Sequence, residues 1–328
     1  MSLLSQSRSQ LRAGLRLTLK KFLSQERRTE LKRLQGVARK KFAPMLTTLH
    51  GRFSTEDLIR DLASHLPADY EILMVHSSFD TMLPMYRGNA KDLLAGLIEL
   101  CGPNRTLVMP SFVMGGRTYD AASYFLTKPF DVRTTPSEMG MVAELFRRTP
   151  GVRRSLHPTA AVCALGPLAE EVIKDHHLSK SGLGPDSPFG VMTRRSTAIT
   201  GIGVEYFRCL THVHAATQKM GDAYPIKLNS ITAPVTLVDY QGTQHNYQLG
   251  LPDRSKKLDL TILWSILSKD ELREWTFHGV PFFVVPSAGV LTDRLIEAAE
   301  RGVTIFGRVP PGPTAVRTAQ AAPEAKVQ

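Results

Sequence analysis

His157 stands immediately before Pro158 in the run Arg153-Arg154-Ser155-Leu156-His157-Pro158. Proline confines the residue before it to extended backbone, so the imidazole is presented at one angle at the mouth of a strand. That arrangement suits a general base, for which histidine is the usual choice because its ordinary pKa lies near neutral pH. The same residue could equally be a hydrogen-bonding group that braces a turn. Ser77 and Ser78, in "MVHSSFDTM", directly follow an apolar stretch. Hydroxyls and free amides at the carboxyl end of a strand can hold phosphate or carbonyl oxygens, which suits an anionic cofactor. Satisfied hydroxyls in a plain turn would read the same way. In "CLTHVHAATQKMG", Thr211 and His214 are three apart at a helix start and share a face, with His212 off it. No third ligand at metal spacing accompanies them, so no metal site is expected. His176 and His177 fall at an expected helix end, where histidine commonly meets the dipole.

These groups need a frame that brings them together. Ser54 and Asp57 predict a capped helix over "TEDLIRDLASHL", and "EILMVH" (71–76) reads as a buried strand. Helix "AKDLLAGLIEL", strand "RTLVMPSF" and strand "TAAVCALG" follow. Next come helix "PLAEEVIKDHH", strand "STAITGIG", a helix near Leu210, strands "APVTLVDY" and "PFFVVPSAG", and helix "TDRLIEAAERG". Strands alternating with helices predict a mainly parallel sheet covered on both faces. Around "QG" in "VTLVDYQGTQHNYQLG", two polar-alternating runs predict a small antiparallel hairpin insert.

The 328 residues suffice for a large core. Their net charge of +11 is concentrated at one end. Residues 1–41 hold twelve Lys and Arg against Glu26 and Glu30, or +10, leaving 29 basic and 28 acidic residues elsewhere, or +1. In this arm Arg8, Arg12, Arg16 and Lys20 recur every four residues beside Leu4, Leu11, Leu15 and Phe22. A basic amphipathic helix of this kind fits an anionic membrane surface or an acidic partner, and also a solvated arm or an oligomerisation segment such as a homodimer would use. Aromatic stacking platforms do not interleave its charges, so nucleic acid is not expected as a partner. Cys101, Cys163 and Cys209 show no paired or zinc-type spacing, which predicts a reducing compartment. Apolar runs such as "VPFFVVP" fall far short of the roughly 20 residues of a membrane span. A cytoplasmic protein, peripheral to the membrane if the arm binds it, is therefore expected. The chain divides into a basic helical arm (1–50), a catalytic domain (51–311) and a polar, Pro/Ala-rich tail (312–328) expected to be disordered.

Taken in order, "VHSSFDTM", "GPNRTLVMPSF", "FDVRTTPSEMG", "ELFRRTPGVRRSLHPTAAVCALG", "GPDSPFGVM" and "THVHAAT" resemble the aminoglycoside 3-N-acetyltransferase family, also called antibiotic N-acetyltransferases. The family's Arg-Ser-x-His-Pro run, whose histidine lies in the active site, corresponds to Arg154 through Pro158. The resemblance implies a three-layer α/β/α fold and transfer of an acetyl group from acetyl-CoA to a primary amine of an amino sugar. It implies His157, His214 and Thr211 as catalytic residues, with Ser77, Ser78, Phe79, Ser111 and Phe112 at the cofactor and Asp80, Glu138 and Thr217 at the acceptor. The sequence departs from the family at Thr217, where glutamate is usual, with Gln218 beside it. It also has "MLPMYRG" after the serine pair and Arg105 in a place that favours glycine. A nearly neutral body without that glutamate also fits a less cationic acceptor, an amino-sugar intermediate of a polysaccharide or natural product. A protein of a different class would keep CoA binding or membrane-surface binding without catalysis.

Overall fold

Ile72 and Met74 face one apolar layer while Leu73 and Val75 face another, so the strand Ile72–Ser77 (β1) is covered on both sides. The computed structural model describes residues 30, 34, 36–39, 41–115, 120–179, 181–228, 231–251, 253 and 255–310. Helices Ala169–Ile173, Pro188–Arg194, Val213–Met220 and Ala288–Glu300 cover the Ile72 side. Thr55–His65, Ala90–Cys101 and Met141–Arg147 cover the Leu73 side. The expected three-layer α/β/α arrangement is the one observed. Several helices start where their side chains dictate. Ser54 and Asp57 form a reciprocal capping box, as do Asn89 and Asp92, and Ser187 caps a helix that opens on Pro188.

The other strands of the main sheet are β2 (Thr106–Pro110), β4 (Arg153–Arg154), β5 (Val162–Leu165), β6 (Thr197–Ile202), β9 (Arg273–Phe277) and β10 (Val280–Val285). Their order is β4-β5-β2-β1-β6-β10-β9. β1 pairs parallel with β2 and β6, as expected for the centre. Strands β4 and β9 run in the same sense as these three, whereas β5 and β10 run against them, so the sheet's margins pair antiparallel. Short connections explain the margins. β9 and β10 are joined only by His278 and Gly279, at φ 49° and 72°, a left-handed pair suited to a tight hairpin and far too short for a parallel crossover. Neither β9 nor the two-residue β4 was apparent in the sequence.

A second sheet holds β3 (Phe130–Asp131), β7 (Ile231–Val238) and β8 (Gln244–Leu251). β7 and β8 form the expected antiparallel hairpin, turned by the Asp239 carboxylate, which accepts from the Gln241 and Thr243 amides at 2.9 and 2.8 Å. β3 joins β7 in parallel. This insert has its own core of Val113, Phe130, Leu156, Val235, Leu237 and Leu249. Leu156 therefore draws the Arg154–Pro158 run into the junction between the sheets. A further pair, β11 (Val303–Thr304) and β12 (Gly307–Arg308), closes the described chain.

The arm residues Arg8, Arg12, Arg16, Lys20, Leu4, Leu11, Leu15 and Phe22, and the tail 312–328, lie outside the described residues. Helix Ala43–His50 is within them, and it touches the domain through Leu46 and through the His50 carbonyl, which accepts from His278 Nδ1.

β6 passes close to the buried Phe283 ring at Gly201, where a Cβ would come within 2.0 Å of the ring. Gly201→Ala should therefore destabilise the fold by about 1–3 kcal/mol through overpacking. Urea unfolding should show this as a lower midpoint at unchanged slope.

Candidate active site

Arg154 is 2% exposed, and its guanidinium donates to the carbonyls of Ser111, just past β2, and Thr135. The group also lies 4.7 Å from the centre of the Phe130 ring. Its own amide donates to the Tyr240 hydroxyl at 2.7 Å. Burial pulls its pKa down to about 10, which still leaves a full charge at neutral pH. One side chain thus ties the end of the main sheet to the insert.

The next residues carry the histidines. Ser155 Oγ accepts from the Val162 amide at 3.0 Å and lies 2.8 Å from His176 Nδ1. His176 Nε2 lies 2.9 Å from the Gly182 carbonyl, which can only accept, so Nε2 carries the proton and Nδ1 accepts from Ser155. His157 stacks on His176 with ring centres 4.6 Å apart. The Ala160 amide donates to His157 Nδ1 at 3.0 Å, which leaves the His157 proton on Nε2, 3.0 Å from the Tyr247 hydroxyl on β8. A Cβ on Gly182 would meet His157 Nε2 at 2.6 Å, so glycine is what allows this packing.

These contacts revise two expectations. A base titrating near neutrality was expected at position 157. Burial, with a contribution from His176, instead holds His157 well below the ordinary histidine value, and its one lone pair is engaged by an amide. His176 was expected at a helix end. The helix stops at Ile173, Asp175 takes a left-handed φ of 52°, and His176 enters the core.

Ser77 closes β1 and Ser78 to Asp80 follow it, Ser111 and Phe112 follow the end of β2, and Glu138 is hydrogen-bonded to Phe112, whereas Thr217, the third predicted acceptor residue, lies elsewhere. The Ser78 amide donates to the Ile202 carbonyl at the end of β6, and Ser78 Oγ pairs with Thr81 Oγ1 at 2.9 Å. Glu138 is tied to the stretch after β2, its amide donating to the Phe112 carbonyl and its carboxylate accepting from the Met114 amide at 2.7 Å. A Cβ at Gly140 would stand 3.9 Å from the Ser77 carbonyl, and the Val113 amide donates to the Pro158 carbonyl. A contiguous strip therefore runs from Ser77 through Gly140, Glu138 and Val113 to His157 and Tyr247. Ser77, Ser78 and Phe79 are half-buried along it, and Asp80 and Glu138 are exposed. Ser111 and Phe112 lie beneath, buried, with the Ser111 amide and carbonyl both engaged.

The helical group stands apart. The His214 amide donates to the Thr211 carbonyl, so the two share a turn as expected, but the Thr211 hydroxyl donates back to the Cys209 carbonyl. His214 has Phe306 as its ring neighbour at 6.4 Å, and burial lowers its pKa to about 4. Thr217 is 5% exposed. Among the described residues no hydrogen bond or ring contact joins His157 to Thr211, His214 or Thr217. Three further contributors went unforeseen: Arg154, Tyr247 and Gly182. Only proximity in the fold reveals Tyr247, ninety residues from its histidine.

Residues 74–279 match the family model for aminoglycoside 3-N-acetyltransferase. An aminoglycoside N(3)-acetyltransferase IV of Salmonella sp is 38% identical over 125 residues, covering 38% of this chain and 42% of that one. An aminoglycoside N(3)-acetyltransferase III of Enterobacter cloacae is 32% identical over 156 residues, covering 43% and 51% respectively. The chain thus spans about half the length of these curated relatives. The solved structure of AAC-IIIb in binary complex with CoASH matches with a TM-score of 0.64 at 22% identity, over 79% of this chain and 99% of that one, so the fold is shared.

Burial lowers His76, His176 and His214 to about 4 and His212 to about 3, and lowers His157 as well. Neutral in the folded state, these rings protonate near 6.5 once unfolded, so the unfolded chain binds more protons as pH falls. Stability should be complete above about pH 6.5 and decline toward pH 4, by up to about 1.4 kcal/mol per pH unit for each histidine. Urea midpoints between pH 7.5 and 4.5 measure this slope. His176→Gln should make it shallower, and an unchanged slope would count against the buried neutral ring.

Proposed function

Because the chain belongs to the aminoglycoside 3-N-acetyltransferase family, we propose that it is an acyltransferase that moves the acetyl group of acetyl-CoA onto a primary amine of an aminoglycoside. The observation that carries this reading beyond family membership is the Tyr247–His157 hydrogen bond. Tyr247 also lines a cleft of about 330 Å³ with Phe125, Leu126, Thr236, Asn246 and Gln248. Burial raises its pKa, so its hydroxyl stays protonated. With its oxygen accepting from His157 Nε2, that proton is free to be donated.

In the reaction the amine lone pair forms the N–C bond while the thioester C=O electrons move onto oxygen. The Tyr247 hydroxyl stabilises that oxygen as charge develops. Collapse breaks the C–S bond, the CoA sulfur leaves with the electron pair and takes up a proton, and the new amide loses its excess proton to solvent. His157 acts through Tyr247, holding its orientation, rather than taking the amine proton itself. Ser77 and Ser78 hold the cofactor, with Phe79 beside them and Ser111 and Phe112 supporting them from below. Exposed Asp80 and Glu138 attract the ammonium groups of the acceptor. Thr211, His214 and buried Thr217 form the wall of a second edge.

The basic arm supports a second partner. Leu34 and Val37 at the end of the +10 segment, and Phe42, Met45 and Leu49 just after it, are exposed at helical spacing, a combination that fits an anionic membrane surface. Deleting residues 1–45 should abolish sedimentation with anionic liposomes and leave turnover on a soluble amine nearly unchanged. Retained liposome binding would remove the anchor. A chain that sediments as a dimer only when the arm is present would assign the stripe to a second copy instead.

Thiol release from acetyl-CoA, measured over a panel of aminoglycosides and simpler amino sugars, tests the activity. Release is expected with aminoglycosides. Release with simpler amino sugars alone would move the acceptor to that class, and CoA binding without turnover on any amine would mean a binding protein. Tyr247→Phe should lower turnover roughly 10²–10³-fold by removing one donor to the developing oxyanion. His157→Ala, which removes only the group that orients Tyr247, should cost no more than Tyr247→Phe, with CoA affinity almost intact. His157→Gln, which keeps an N–H near the Nε2 position, should retain more activity than His157→Ala. Equal losses would return the proton-accepting role to His157.

A further inference from the structure

A second ring contact joins the hairpin insert to the main domain. His177 packs against His245 with ring centres 4.9 Å apart and planes tilted by 57°. His177 belongs to the short turn His176–Leu178, and His245 stands on β8. His245 Nε2 lies 2.9 Å from Asp239 Oδ2, which can only accept, so Nε2 carries a proton and the hairpin's own turn fixes the ring. The other oxygen of that carboxylate accepts from the Gln241 and Thr243 amides.

This contact is coupled at both ends to the hydrogen bond between Tyr247 and His157. On β8, His245 and Tyr247 are half-buried and alternate with exposed Gln244, Asn246 and Gln248, so they share one face. On the main domain, His177 follows His176, whose ring stacks on His157 at 4.6 Å. The contacts close a circuit from His245 to His177, along one peptide to His176, across to His157, on to Tyr247 and back along β8. Only two residues of strand, about 7 Å, separate the two contacts on the hairpin side, so parting His245 from His177 is felt at Tyr247.

We propose that the His177–His245 pair is a latch that holds the β7–β8 hairpin where Tyr247 meets His157, and that it opens when both rings are charged. A single imidazolium is balanced by the Asp239 carboxylate beside it, whereas two at this separation repel. His177 and His245 are positioning residues, and their effect on turnover rests on the acetyl-transfer reading above. The latch itself does not. Its pH range follows from the groups around His177. Burial and then His245 lower the His177 pKa, and Asp175 of its own segment and Asp239 of the hairpin partly offset them. Asp175 lies 4.0 Å from Lys174, which takes up part of its charge. His177 is therefore neutral at pH 7.5 and gains its charge below the ordinary histidine value of about 6.5, so the latch opens on the acid side.

Carbon NMR of the full chain with labelled tyrosine rings reads the Tyr247 hydroxyl environment, its signal assigned by loss in Tyr247→Phe. Between about pH 7.5 and 5.5 that signal should move with the titration of His177. In His177→Phe, which keeps a ring but has no site for the charge, it should hold its neutral position. His177→Gln also lacks that site and serves the same comparison if the phenylalanine variant does not fold. A Tyr247 signal that stays put in the unmodified chain, or moves equally in these variants, would overturn the latch. The positioning role is read from turnover. His177→Phe should stay within about twofold of the unmodified chain at neutral pH and lose less activity toward pH 5.5. His177→Ala, without a ring to pack on His245, should lower turnover at neutral pH by on the order of 10-fold, as expected for a displaced reacting group, with CoA affinity little changed. If alanine matches phenylalanine, or the pH profiles of all three run parallel, the positioning role fails. If the unmodified chain transfers no acetyl group, the proposed function fails, while the tyrosine signal still decides the latch.

Discussion

A charged guanidinium in the interior is expensive unless its donors are engaged, and Arg154 engages its two terminal nitrogens with carbonyl oxygens rather than a carboxylate, while its buried Nε has no hydrogen-bond partner. The choice of partner matters. A carboxylate would have balanced the charge wherever the two side chains happened to meet. Carbonyls at Ser111 and Thr135 instead pin two stretches of backbone, and the Phe130 face adds a third fixed surface. Were the guanidinium removed, two buried acceptors would be left without partners, and the loops around them would have to open to water.

What depends on this clamp follows from chain continuity. Ser155 and His157 come within three residues of Arg154 and reach Val162, His176, Ala160 and Tyr247, while Leu156 between them enters the insert's core. The segment is too short to accommodate slack. Once Arg154 is seated, the orientation of the His157 ring and the proton on its Nε2 follow from the amide of Ala160 and the oxygen of Tyr247.

The layered fold was legible in the sequence because its central strands read as apolar runs between helical stretches and the first helix announces its start through Ser54 and Asp57. The antiparallel margins were not, since β4 has two residues and β9, "REWTF", mixes charge with aromatics at an edge. At the site, His157 and the serine pair stood out by residue type and by position after a strand. The ring's environment did not. Its depressed basicity comes from burial and from His176, and its partner Tyr247 arrives on a hairpin far along the chain. Local spacing cannot encode contacts that only the packing of two sheets creates. The same limit holds at His212, where spacing puts the ring off the face shared by Thr211 and His214 but not against Thr193 and Thr292, which only packing brings to it.

The delivery of Tyr247 by the β7–β8 hairpin divides mutational freedom unevenly over the molecule. Val235, Leu237 and Leu249 pin the hairpin to its own small core, whereas Thr232, Pro234, Asn246 and Gln248 alternate with them and face solvent. Substitutions on that outward face can reshape the wall of the neighbouring cleft without disturbing β1, β2 or the Arg154 clamp. The insert's outer face can therefore change while the main sheet stays under tight packing constraint, so variation there carries little risk to folding.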